Sequence, residues 1–129
     1  PTSEGLLVHR TLRAGTALEH RGHVVVIGDV NPGAEITAGG DIIVWGKLRG
    51  LAHAGAAGDE SAVVCALRLL PAQLRIGPHV TTRTESRSAR HAPQTARVFE
   101  GRIVVEPWMD AAATREPRAG GVLARLRRR

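Results

Sequence analysis

The chain has 129 residues and a mass of 13.7 kDa, one domain's worth of sequence. Hydrophobic residues make up 43% and aromatics only 2% (Trp45, Phe99 and Trp108), so a core exists but, built from Val, Ile, Leu and Ala, must be thin or layered. The net charge of +6 resides wholly in residues 80–129, whereas residues 1–79 hold seven basic and seven acidic residues; with no basic stripe and no stacking aromatics in that half, the pattern argues against nucleic acid as a partner.

Residues 1–9 have no charged-then-apolar signal layout and read as an N-terminal linker. No apolar run approaches the ~18 residues of a membrane span. The single cysteine, Cys65, sits in the apolar run AVVCAL and reads as a small buried hydrophobe, with no disulfide framework and no thiolate metal site. These features together suit a cytoplasmic protein.

From Arg10 an internal repeat dominates. Gly22, Gly40 and Gly58 recur every eighteen residues, and Gly15/Gly33, Gly28/Gly46 and Leu12/Val30/Leu48 keep the same spacing. VVVIGDV (24–30) and IIVWGKL (42–48) superimpose without a gap, and VVCALRL (63–69) follows with three extra residues near Asp59, Glu60 and Ser61. The runs are short, β-branched and bounded by turn residues, which are strand signals rather than helix signals. Strands recurring at this period predict an all-β parallel solenoid in which like residues stack: Leu12 on Val30 on Leu48, and Leu18 on Ile36 on Ala54. The glycines Gly22, Gly40 and Gly58 are expected at equivalent corners. Periodicity leaves the handedness open. Eighteen is also three hexapeptides, so the left-handed β-helix of hexapeptide acyltransferases competes on pattern alone.

Beyond Ile76 the pattern stops. Residues 78–95 are polar and read as an exposed loop. Residues 96–107 read as a hairpin around Glu100-Gly101, and Trp108 as a lid on the solenoid end. The tail, 109–129, carries Gly120-Gly121 and six basic residues and reads as a flexible, disordered basic segment with at most a short helix at 122–128.

The motifs Asp29-Val-Asn-Pro-Gly-Ala-Glu35, Asp41-Ile-Ile-Val-Trp-Gly46 and Leu48-Arg-Gly50…His53-Ala-Gly-Ala56, with Ala96-Arg97-Val98 and Gly101–Trp108, closely resemble the C-terminal domain of the bacterial septum-site determining protein MinC. The resemblance runs from about Arg10 to Ile76 and resumes at Ala96, placing the domain at 10–108, and implies a short, three-sided, right-handed parallel β-helix that forms a homodimer. It implies binding to the ATP-bound ATPase MinD, which draws the protein to the inner face of the cell membrane, and antagonism of FtsZ assembly. Contact with the membrane would be indirect, through MinD. The family's MinD-contacting motif, Arg-Ser-Gly-Gln, stands here as Arg13-Ala14-Gly15-Thr16, and its partner-binding turn one coil on matches Gly33 and Glu35. Outward members of 24–27, 42–45 and 63–67 are candidates for the dimer face: Val26, Ile43, Trp45 and Val64.

Catalysis has little support. His20, His23 and His53 are too loosely spaced for a three-histidine metal site, and no Gly-x-Ser-x-Gly, phosphate-binding loop or paired carboxylates appear. No cofactor is implied. A binding module is the leading reading, and a hexapeptide-type transferase is the alternative.

Overall fold

The repeat's β-branched runs fold as strands because alternate side chains can be buried against the coil above while the others face out. In the computed structural model, which describes residues 4–82 and 92–108, eleven strands form two sheets. They are β1 (Gly5–Val8), β2 (Ala17–His20), β3 (His23–Ile27), β4 (Glu35–Ala38), β5 (Ile42–Leu48), β6 (Leu51–Ala54), β7 (Val64–Leu69), β8 (Gln73–Ile76), β9 (His79–Thr81), β10 (Gln94–Phe99) and β11 (Arg102–Pro107). The first sheet has the order β1-β3-β5-β7-β10-β11 and the second β2-β4-β6-β8-β9. Pairing through β1–β8 is parallel within each sheet, so the chain alternates between sheets and advances one coil at a time. A third side is closed by the bridges Leu12–Val30 and Val30–Leu48, which stack as the repeat requires. The result is a three-sided solenoid of about four turns.

The interior is a narrow column of aliphatic side chains. Leu12, Val24, Val26, Val30, Ile36, Ile42, Val44, Leu48, Leu74 and Ile76 are each at most 1% exposed. No aromatic enters it, as the composition implied. Corner carboxylates tie coils together. Asp41, 1% exposed, accepts a hydrogen bond from the Val63 N–H at 2.9 Å, and Asp29 accepts one from the Lys47 N–H at 2.8 Å.

Several expectations are corrected by the register. Ile36 pairs with Ala52 and not Ala54, because the corner between β5 and β6 is the dipeptide Arg49-Gly50, two residues shorter than Asn31–Ala34 in the coil below. The Gly40 N–H donates to the Gly22 carbonyl, so those two share a corner, but the Gly55 N–H donates to Gly40 and Gly58 lies inside the following turn. The three extra residues of the next coil are a net figure. Ile42 pairs with Val64, an offset of 22, and Lys47 with Arg68, an offset of 21, with a β-bulge between Val44 and Lys47. Residues 5–8, placed in a linker, are strand β1 paired with β3. Within 78–95, β9 returns antiparallel to β8, and Gln94 and Thr95 are buried in β10 rather than looped out. The remainder of that loop, 83–91, and the tail from 109 lie outside the described residues.

The hairpin at Glu100-Gly101 is present. Both residues take positive φ (51° and 78°), the geometry that joins two antiparallel strands through a tight two-residue turn. Trp108 follows β11, half-buried, its N–H donating to the Pro93 carbonyl.

Candidate functional site

The segment Arg13–Thr16 leaves the third side and turns into β2. Its Thr16 N–H donates to the Arg13 carbonyl at 3.0 Å, and Gly15, third in the turn, has φ +90°. One coil on, Asn31–Ala34 repeats the arrangement: the Ala34 N–H donates to the Asn31 carbonyl at 3.0 Å, Pro32 is second, and Gly33 has φ +90°. This is the residue pattern of a type II turn, whose third position requires the left-handed region. The two turns are bonded face to face, Gly15 N–H to Gly33 carbonyl at 3.0 Å and Glu35 N–H to Thr16 carbonyl at 2.9 Å. A Cβ built on Gly33 would lie 2.9 Å from the Ala14 Cβ, so Gly33 also permits the close stacking.

The fold therefore brings Arg13, Ala14, Gly15, Thr16, Gly33 and Glu35 into one solenoid edge. Arg13, Ala14, Gly15, Gly33 and Glu35 are exposed and Thr16 is half-buried. Among the described residues no ion pair engages Arg13 or Glu35. The guanidinium and the carboxylate are thus available to a partner, and the backbone at Gly15 can be approached closely, since nothing lies within 4 Å of where its Cβ would stand.

The outer face of the first sheet is apolar. In register across it run Leu7, Val25, Ile43 and Cys65, with Ile27 beside Trp45. Leu7 is 64% and Trp45 63% exposed, and Phe99 on β10 46%. Of the four dimer-face candidates, Ile43 and Trp45 lie on this face. Val26 and Val64 do not: both are 0% exposed and point into the core, the parity of β3 and β7 being one residue off from the expectation. Their neighbours Val25 and Cys65 hold the outward positions, Cys65 closed over by Thr95, whose Oγ1 lies 3.3 Å from its Sγ.

The third side carries a feature that the charge tally concealed. Bridging Leu12, Val30 and Leu48 in register sets Thr11, Asp29 and Lys47 in one outward row and Arg13, Asn31 and Arg49 in the other, and Lys47 pairs with Arg68. Four of the seven basic residues in 1–79 thus share one face with one carboxylate, Asp29. A stretch neutral in sequence is segregated by the coil. The signal was present in the spacing, since Arg13 and Arg49 are two repeats apart.

The histidines do not converge. His20 Nδ1 accepts from the Gly22 N–H and His23 Nδ1 from the Asp41 N–H, both at 2.9 Å, while His53 Nε2 meets the Gly77 carbonyl at 3.2 Å. Among the described residues, none of the His, Cys, Asp and Glu groups form a cluster of three able to hold a metal ion.

The fold is thus a short β-solenoid that presents stacked glycine turns on one edge and an apolar outer face on its first sheet. The family model for the septum formation inhibitor MinC, C-terminal domain, matches residues 6–108, and the chain belongs to that family. Among curated relatives, the proteins named "Probable septum site-determining protein MinC" of Heliobacterium modesticaldum and Aquifex aeolicus are 52% and 48% identical over 102 and 103 residues, which is 78% and 79% of this chain but 35% and 51% of theirs. The relative from Symbiobacterium thermophilum is 42% identical over 106 residues, 82% of this chain and 46% of that protein. The chain thus spans a third to a half of these proteins. Among solved structures, a chain of the MinC:MinD cell division protein complex of Aquifex aeolicus superposes with a TM-score of 0.74 at 44% identity, covering 86% of this chain and 97% of that one.

Proposed function

We propose that this domain is the dimeric adaptor of a division-site inhibitor. It binds ATP-bound MinD through the edge formed by Arg13–Thr16, Gly33 and Glu35, is carried to the membrane by MinD, and there helps oppose FtsZ assembly at unwanted septa. The observation that carries the reading is the likeness, nearly end to end, to the MinC:MinD complex chain. The edge supports it: six residues from two coils converge, with an exposed arginine whose planar fork suits a carboxylate. Dimerisation is supported by the contiguous apolar face around Ile43 and Trp45, which a twofold pairing would cover. The role is binding rather than catalysis, and no helix of the described residues is long and apolar enough to cross a membrane.

The test is co-sedimentation with vesicles carrying MinD. The domain should pellet with MinD in ATP and stay in solution in ADP, and should sediment as a dimer on its own. Failure to pellet under either nucleotide removes the reading.

A further inference from the structure

The two ends of the solenoid are built differently. At the last coil the chain doubles back: β9 lies antiparallel to β8, β10 and β11 form an antiparallel hairpin, and the edge strands β9 and β11 lie against each other. At the first coil, among the described residues, no strand pairs with the outer edge of β1. Leu6 and Val8, in register with the wholly buried Val24 and Val26, are only half-buried there, and Leu7 on the outer face is 64% exposed. The Glu4 carbonyl accepts the His23 N–H at 2.8 Å, so Leu6 and Val8 also bond toward β3, and alternation turns the N–H and C=O groups of Gly5 and Leu7 to the free edge. Such a row is a template for another strand. Gly5–Val8 carries none of the charged or proline residues that blunt an edge, whereas β2, the other strand that ends this coil, carries Glu19.

We propose that β1 pairs antiparallel with β1 of a second copy of this chain, about a twofold axis through Leu7. Parity and charge set the register. A twofold perpendicular to the sheet keeps inward side chains inward only when it is centred on a residue. Centred on Leu7, the two Leu7 residues exchange both backbone bonds, and Leu6 packs on Val8 of the second copy, once on each side of the axis. The same register sets Glu4 opposite Arg10 of the second copy, twice over. Both residues are exposed, and among the described residues no ion pair engages either. Centred on Leu6, Glu4 would fall opposite Val8; centred on Val8, Arg10 would fall opposite Leu6. The pairing covers the three apolar side chains that have no coil above them and joins two first sheets edge to edge. It uses a different surface from the outer face around Ile43 and Trp45. Because the far end is closed by its hairpins, association through this edge stops at two copies instead of growing a filament. With about seven residues a side, against the 20–30 of a stable interface, the contact is weak, with a dissociation constant on the order of 0.1–1 mM.

The experiment is sedimentation velocity of the chain at low salt, from about 0.01 to about 1 mM. A species of twice the mass found at the lowest concentration should appear toward the highest. Glu4→Arg and Arg10→Glu should each weaken that step several-fold, and the double variant Glu4→Arg/Arg10→Glu should restore it. Leu7→Pro removes an N–H that β3 does not use, so it should abolish the step while thermal unfolding stays near the parent's. Glu4→Cys and Arg10→Cys, mixed under mild oxidation, should cross-link to each other faster than either does to itself, with buried Cys65 taking no part. A mass that stays constant up to about 1 mM refutes the pairing. Association that survives Leu7→Pro and both charge reversals lies on another surface and refutes it equally. If the Gly5 and Leu7 amides already exchange slowly at about 0.01 mM, the chain itself covers this edge and the second-copy assignment is overturned.

Discussion

Gly15 and Gly33 occupy the same position in two stacked turns, both at φ +90°, yet their surroundings differ. A Cβ on Gly15 meets nothing within 4 Å, whereas one on Gly33 comes within 2.9 Å of the Ala14 Cβ and 3.3 Å of its Cα. Gly15→Ala should therefore carry only the backbone cost of an L-residue in the left-handed region, about 1–2 kcal/mol. Gly33→Ala carries that cost and must also push the Arg13–Thr16 turn aside, for a total of about 2–4 kcal/mol. In a domain of this size each kcal/mol lowers Tm by roughly 4–8 °C. The assay is equilibrium urea unfolding of both variants beside the parent, read from midpoints at unchanged m-value, followed by MinD binding at a temperature where both are folded. Gly33→Ala should be the less stable and should also bind MinD more weakly, because it displaces the neighbouring coil's motif. A Gly33→Ala domain as stable as Gly15→Ala, or with undiminished binding, would refute the stacking argument.

Arg13→Ala should weaken MinD binding by about 2 kcal/mol, roughly thirtyfold, with fold and dimer intact, and Arg13→Lys should recover little because an ammonium lacks the bidentate geometry. Val25→Asp should leave a folded domain that sediments as a monomer, whereas Val26→Asp, at a position 0% exposed, should unfold it; circular dichroism with sedimentation separates the two. Asp41→Ala strips the Val63 N–H of its buried acceptor and should cost about 1–3 kcal/mol in urea unfolding, while Asp41→Asn, which keeps an acceptor oxygen, should cost less.

Much of the architecture was legible because a solenoid writes its pitch into its sequence. Leu12, Val30 and Leu48 stack as the eighteen-residue period demands, and Glu100-Gly101 specified its turn by local chemistry. The period failed where corners changed length. The Arg49-Gly50 corner is shorter than Asn31–Ala34, so the stack passes from Ile36 to Ala52, and a spacing argument that assumes constant coils misses it. Side-chain parity failed for a related reason: an unbroken β-branched run such as Val24-Val25-Val26 has no alternation to reveal which members face in, and Val26 and Val64 prove to be core. Strand β1 went unread because its register partner, β3, lies one coil away and GLLV alone carries no turn signal before it. At the edge, residue type and spacing placed Gly15 against Gly33 correctly, but the cationic side was hidden by a tally that averages over faces.

Amide hydrogen exchange, with and without ATP-loaded MinD, tests the central claim most directly, since it asks where the partner sits. Added protection should concentrate in residues 11–16 and 29–35 and extend to 47–51, with no new protection across the outer face of β3 and β5 at Val25, Ile43 and Trp45. Protection confined to that apolar face, with the glycine-turn edge exchanging as in the free domain, would contradict the account.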